Sequence, residues 1–468
     1  MQVPILNGIS VSEGPEFRTK YPRNMIPVPK QQGISNGFIR PADGIDWFSD
    51  GPGIDRGGIN HKGHCYRVVG DHLVEYFEDG THITIGEVPG INVVRMDYSF
   101  DYLAIASDGR FFLWKPGSTV KEVTDTDLGV VVDFCWVDGY FLTTDGTFLV
   151  VTELTDPFSV NPLKYGSSEV DPDPIKAVLS VHNEPHALNR YTIEVFDNIG
   201  GENFPFQRIK GAQIQRGTVG TRTAVVFNDA VAFMGSGRNE EIAVWFGRNA
   251  STIKISTREI DIIINKYSEA ELAKALMETR VSKHHSLLYI HLPDETLVYD
   301  HNASVEMEQP VWFTLSSGLH GNKIYRARNF VWCFNKWICG DPLSSNLGTL
   351  TNKHSYHYNQ PVSWEFQTIA LYAEGMNAMF SNLELVALTG NVELGVDPTV
   401  WSSYSDDGLT WSQEKPLRVG KIGDSAKRVI WFNQGGLLRH WKIFKFRGTS
   451  HAQLSFARLE IEVEKLNA

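Results

Sequence analysis

From about residue 60 to residue 350 the chain repeats one unit: a strand, a turn, a strand, a tight turn and another strand. Two adjacent copies carry the unit most plainly. Residues 93–98 are followed by YLAIAS, Asp108-Gly109 and FFLW, and residues 130–137 by YFLTT, Asp145-Gly146 and TFLVV. Asp-Gly suits a type I′ hairpin turn, because both central residues need positive φ. The two Asp-Gly turns lie 37 residues apart. YRVVGDHLVEYF precedes this pair. ALNRYTIEVF, AVAFMGSGRNEEIAVWF, LLYIHLPDETLVYD and FVWCFNKWICGDPLSSNLGTL follow it. That makes seven candidate hairpins at the spacing of propeller blades. Radial repetition leaves few exposed sheet edges, so short, evenly spaced strands with Gly-rich turns favour a β-propeller over a pair of β-sandwiches. The hairpin count gives seven blades, or six if one hairpin belongs elsewhere.

The flanks differ. Residues 1–60 are rich in Gly, Pro and Asn and read as an extended N-terminal arm and lead-in. The propeller occupies 61–360, with a helical insertion at 268–280. Ser268 and Glu271 form a capping box there, Tyr267 and Leu272 a staple, and Leu272, Leu276 and Met277 an apolar stripe. Beyond residue 361 the strands lengthen (WEFQTIALYAE, NLELVAL, HWKIFKFRG, FARLEIEVEKL), which points to a C-terminal antiparallel β-sandwich-like domain at 361–468. The fold class is therefore mainly β.

Chemical motifs are sparse. The formal net charge is −12, and the nearest basic cluster, residues 439–447, alternates Lys/Arg with Ile and Phe as a strand with one solvated face does. His61, His64 and Cys65 match no common zinc spacing, and His284-His285 would point to opposite faces of a strand. Tyr404 to Trp411 (YSDDGLTW) resembles the Asp-box hairpin, a folding motif, with Asp406, Gly408, Thr410 and Trp411 matching. Glu194, Glu240, Glu241 and Asp300 show no pairing of the kind that glycoside cleavage requires. GSGRNEE at 235–241 lacks the lysine and helix of a phosphate loop and reads as a hairpin loop. The four cysteines form no disulfide framework. With Asn335-Lys336 as a two-residue turn, Cys333 and Cys339 face opposite sides of their hairpin. No apolar run is long enough to cross a membrane, and the N-terminus does not read as a secretory signal. Catalytic, cofactor-binding and metal residues are each expected to be none.

A resemblance adds to this reading. Asn24-Met25, Gly37-Phe38-Ile39-Arg40-Pro41, Gly44-Ile45, Arg56-Gly57 and Tyr66-Arg67-Val68 carry its N-terminal part. Thr192-Ile193-Glu194 with Phe196, Ala270, Met277-Glu278-Thr279, Leu287-Leu288 and Ile290-His291-Leu292-Pro293 continue it. Leu297-Val298-Tyr299-Asp300 and Cys339-Gly340-Asp341 complete it. Together they resemble the tail hub, or packaged-DNA stabilisation (head-completion), proteins of short-tailed Salmonella phages. The likeness runs in scattered blocks and fades after about residue 350. It implies a non-enzymatic virion component made in the host bacterial cytoplasm. It also implies a homohexameric ring, docked below the portal and its adaptor ring after packaging. That ring would pass double-stranded DNA non-specifically, be plugged by the tail needle, and present surface to the tailspikes. A carbohydrate-active or carbohydrate-binding propeller (glycosidase or lectin) and a peptide-binding scaffold propeller are the alternatives.

Overall fold

The computed structural model describes all residues except 12–16, 31–34, 202, 249, 373–376, 391, 393, 438–440, 451–452 and 467–468. Seven small antiparallel sheets follow one another, spanning 55–87, 95–122, 133–167, 175–208, 217–254, 276–315 and 328–351, and are numbered blades 1 to 7. Each hairpin read from the sequence falls in its own blade. The first strand of each blade packs on that of the next, and Arg328–Cys333 packs back on Asp55–His61, so the ring closes.

The turns explain the hairpins, with one correction. Asp108 (φ 47°) and Gly109 (φ 84°) form the expected left-handed pair; Asp138 (φ 48°) and Gly139 (φ 90°) form another, not among the turns singled out from the sequence. At Asp145-Gly146 only the glycine has positive φ. There the Asp145 carboxylate accepts from the amides of Thr147 and Phe148, both at 2.7 Å, so a side chain closes this longer loop.

Blade 7 takes its fourth strand from far upstream. Gly44–Asp50 pairs with Asn346–Thr351, from Thr351 opposite Gly44 to Asn346 opposite Asp50. A hydrogen-bonded ladder between distant chain segments thus closes the ring. The stretch expected as an arm over 1–60 is divided among sheets instead. Met25–Pro29 and Gly37–Pro41 join the sheet that holds Phe456–Leu466 and Asn377–Ala387, and Gln2–Val3 adds to that sheet's Phe456–Leu466 strand. That sheet faces a second one, built on Ser363–Gln367, Trp441–Thr449, Thr399–Ser405 and Lys415–Arg418. Between them lie Trp364, Phe366, Phe380, Phe444, Phe446 and Phe456, with Val3, Ile5, Met25 and Ile39 supplied by the N-terminal segment. No helix is long and apolar enough to cross a membrane among the described residues.

The helical insertion is shorter than expected. The capping box of Ser268 and Glu271 is present, but its helix is only Glu269–Leu272. Leu276 and Met277 begin the strand Leu276–Ser282, where they pair with His291 and Ile290. A strand partner in the tertiary fold overrides the helical spacing of the stripe. Two more helices accompany it: Arg258–Ile264, capped by Thr257, and His301–Met307, capped by Asp300. The blade 7 hairpin also turns one residue early, at Phe334-Asn335, so Cys333 pairs with Lys336 and Trp332 with Trp337. The two cysteines still face opposite sides. Cys333 packs toward blade 1 and Cys339 toward blade 6.

Candidate functional site

Several buried or half-buried polar side chains of the propeller tie separate blades together. Arg56 of blade 1 donates to the carbonyls of Asn92 (2.8 Å), Val88 (3.0 Å) and Gly70 (3.1 Å). Asp97 accepts from the Trp136 amide of blade 3 at 2.8 Å. Asp133 accepts from the Val178 amide of blade 4 at 3.1 Å and from Arg222 at 2.7 Å. Glu278 of blade 6 takes the amides of Asn329 (3.0 Å) and Phe330 (2.8 Å) in blade 7, and also His291 at 2.7 Å. At the last junction Asp55 is gripped by Arg67 through two bonds of 2.7 and 2.8 Å, and by the Asn329 amide group at 2.8 Å. Arg67 and Asp55 are essentially inaccessible to water (0% and 1%), so losing either partner strands a buried charge. Gly340 lies beside them because a Cβ there would collide with the Asp55 carboxylate.

A second set of contacts welds the propeller to the sandwich. Residues 22–24 run between Val311–Leu315 of blade 6 and Ser363–Gln367. The Arg23 amide donates to Glu365 O at 2.9 Å, the Asn24 amide to Thr314 O at 2.8 Å, and the Thr314 amide to Pro22 O at 2.9 Å. The Asn24 side chain reaches both domains, bonding to Ser316 and Ser363.

The ring presents a trough on the face where its inner strands begin. One part, about 420 Å³, is lined by Ile54, Ile91, Val93, Pro342, Arg56 and Arg328. Another, about 490 Å³, shares Val93 and adds Val130, Arg222 and Lys274. Ile91 is 88% exposed and Val130 59%. Aliphatic groups so open to water are what a docking surface offers.

The residues weighed from the sequence stay apart. His61 is buried against Tyr98, with ring centroids 4.9 Å apart, His64 pairs with Glu75 at 2.6 Å, and Cys65 lies in the blade 1 core. Burial pushes the Cys65 and Cys339 thiols up to about 12. His285 pairs with Asp300 at 2.5 Å, while His284 is exposed. Glu194 accepts from the Val170 amide at 2.9 Å, and Glu240 holds Arg216 at 2.8 Å. The loop at 235–241 is a hairpin connection whose Arg238 grips Asp171. In the Asp-box-like turn, Asp407 rather than Asp406 organises the loop, accepting from Leu409, Thr410 and Ser405. Asp406 sits 3.3 Å from Lys442 instead. Arg439 and His440 of the basic strand lie outside the described residues. Its Lys442 is buried over the Tyr404 ring at 3.8 Å, and Lys445 lies 4.3 Å over Trp411. Among the described residues no three His, Cys, Asp or Glu side chains are placed to hold a metal ion.

Several motifs of the family resemblance meet in these latches. Arg56, Arg67, Glu278 and Gly340 all lie at blade junctions, and Asn24 lies at the domain seam. The sequence marked these positions without showing that they touch.

Comparison with known proteins gives a consistent result. Residues 1–355 match the family model described as "Bacteriophage P22 Gp10, beta-propeller", and residues 363–464 match "Bacteriophage P22 Gp10, beta-sandwich". The tail hub protein gp10 of Salmonella phage P22 is 27% identical over 483 aligned positions, covering 99% of this chain and 99% of that protein. Among solved structures, the WD40 domain of Neurospora crassa Pan2 aligns with a TM-score of 0.43 at 8% identity, over 67% of this chain and 98% of that one. The N-terminal domain of Nup159 aligns with a TM-score of 0.41 at 8% identity, over 69% and 97%.

Proposed function

The chain belongs to the Bacteriophage P22 Gp10 family of β-propeller plus β-sandwich proteins, and from that premise we propose that it is a structural tail-hub component of a phage virion. The observation that carries this reading is the ordered match of both domain families, together with a relative named as a tail hub that aligns from end to end. In finer detail, it assembles as a homohexameric ring below the portal and its adaptor. That ring closes the DNA channel after packaging, stabilises the packaged DNA, and attaches the tail needle and tailspikes. Its working units are the propeller over 61–360, which also draws in the strand Gly44–Asp50, and the sandwich over 361–468.

The physical chemistry supports this work. A hub that closes the head exit works best as a rigid body. The blade latches, the ladder at Gly44–Asp50 and the seam at residues 22–24 make such a body. The net charge of −12 suits a wall past which DNA slides without adhering. The role is binding rather than catalysis, since Glu194, Glu240 and Asp300 are each engaged with separate partners.

The test uses packaged heads that lack their hub. Adding the purified protein is expected to protect the packaged DNA from nuclease. Unchanged DNA loss at saturating protein would contradict the proposal.

A further inference from the structure

Two arginines line the same 420 Å³ trough and differ sharply. Arg56 is satisfied, with three backbone carbonyls and the Ser107 hydroxyl around its guanidinium. Arg328 is not. It is half-buried at the start of the blade 7 inner strand, its Nε is shielded from water with no hydrogen-bond partner, and it forms no ion pair among the described residues. The carboxylate whose field reaches it, Glu278, already receives His291 and two amides. Of the two carboxylates that line the trough, Asp55 is taken up by Arg67 and Asn329, and Asp71 is exposed and acts on Arg56. A guanidinium remains charged at any pH a phage meets, so its shielding is a cost that the field of Glu278 offsets only in part. Burial accordingly weakens its hold on its proton.

We propose that the trough at the propeller mouth is a docking site for an acidic, aliphatic-flanked peptide segment of a partner protein, with a carboxylate received by Arg328. The walls select the rest of the ligand. Ile54 (49% exposed), Ile91 (88%) and Val93 (36%) rise beside the arginine, and Pro342 closes the side. Aliphatic walls match the apolar neighbours of a glutamate or aspartate in a protein strand or helix. They do not match a nucleic-acid backbone, which is charged throughout. A carboxylate–guanidinium pair in a water-poor trough also gives the strong, oriented bond that anchors an interface.

The experiment compares two blocked heptapeptides of alternating leucine and glutamate, or leucine and glutamine, titrated into the full chain by calorimetry. The glutamate peptide is expected to bind at least tenfold more tightly than the glutamine one. Arg328→Met should remove that preference while leaving the melting temperature unchanged or raised, because it deletes a charge that is only partly offset. Ile91→Glu, at a site too exposed to disturb folding, should weaken the same peptide at least tenfold. A melting temperature several degrees lower in Arg328→Met would mark the arginine as structural and overturn the proposal. Equal binding of the two peptides would also overturn it, as would displacement by an equimolar amount of inorganic phosphate.

Discussion

The side-chain amide of Asn24 donates to the carbonyl of Ser363 at 2.7 Å across 339 positions of sequence. The same amide donates to Ser316 O at 2.8 Å, and its carbonyl accepts from the Ser316 amide at 2.9 Å. One buried side chain thus pins the last strand of blade 6 and the first strand of the C-terminal sheet to the N-terminal segment. Its backbone is left-handed (φ 56°), a conformation asparagine adopts more readily than most residues.

Asn24→Ala should therefore cost about 3 kcal/mol, since each buried group left without its bond costs about 1–3 kcal/mol. Calorimetry should show one unfolding transition splitting into two as the propeller and sandwich uncouple. Asn24→Gly should split it as well, because glycine supplies the φ but none of the bonds. A single unshifted transition in either variant would contradict the weld.

Gly340→Ala should destabilise the ring closure by about 3 kcal/mol, the scale of overpacking in a tight interior. The added methyl has nowhere to go but into the Asp55 carboxylate. Asp55→Ala alone leaves Arg67 without its buried partner. The double variant should then cost less than the two single losses combined, as residues in contact do. Urea unfolding of the three proteins measures this directly, and strict additivity would rule out the contact.

Acid should loosen the fold through His357. This imidazole is buried, and its pKa is pushed down to about 3, first by burial and then by the Arg326 charge. In the unfolded chain it titrates near 6.5. Between those values the unfolded state binds a proton that the folded state refuses. Stability is thus full above about pH 6.5 and falls by about 1.4 kcal/mol per pH unit below it, down to the folded value. His357→Gln should remove that slope between pH 6 and pH 4. An identical pH profile in the variant would contradict it.

Truncation separates the two uses of the N-terminal segment. Removing residues 1–43 deletes the seam and the strands lent to the sandwich but spares Gly44–Asp50, so the amides of Asn346–Thr351 should stay protected from hydrogen exchange. Removing residues 1–50 also strips the fourth strand from blade 7 and bares the edge of Asn346–Thr351. Such an unpaired edge invites association, and this chain should aggregate. Equal hydrogen exchange at Asn346–Thr351 in the two truncations would contradict the closure.

The blades were legible because their information is local. Each hairpin carries its own turn chemistry and its own alternation, as Asp108-Gly109 and FFLW show. What the sequence hid depends on distant partners. Gly44–Asp50 looks like part of an irregular lead-in until Asn346–Thr351 lies beside it. Leu276 and Met277 fit a helix by spacing and become a strand because His285–His291 offers a ladder. The blade 7 register slipped by one residue because Phe334 takes a left-handed turn position (φ 53°) that an aromatic residue seldom occupies. In the Asp-box-like turn the motif pointed to Asp406, whereas its neighbour Asp407 holds the loop. Arg328 gave no signal at all, since an arginine with no hydrogen-bonded carboxylate among the described residues is defined by what the fold fails to place beside it.

The most direct test of the hub assignment is native mass spectrometry of the full chain, alone and with a portal–adaptor complex, with negative-stain images of the same samples. A discrete sixfold ring, either free or formed on the adaptor, is the expected result. A chain that stays monomeric in both samples would contradict it.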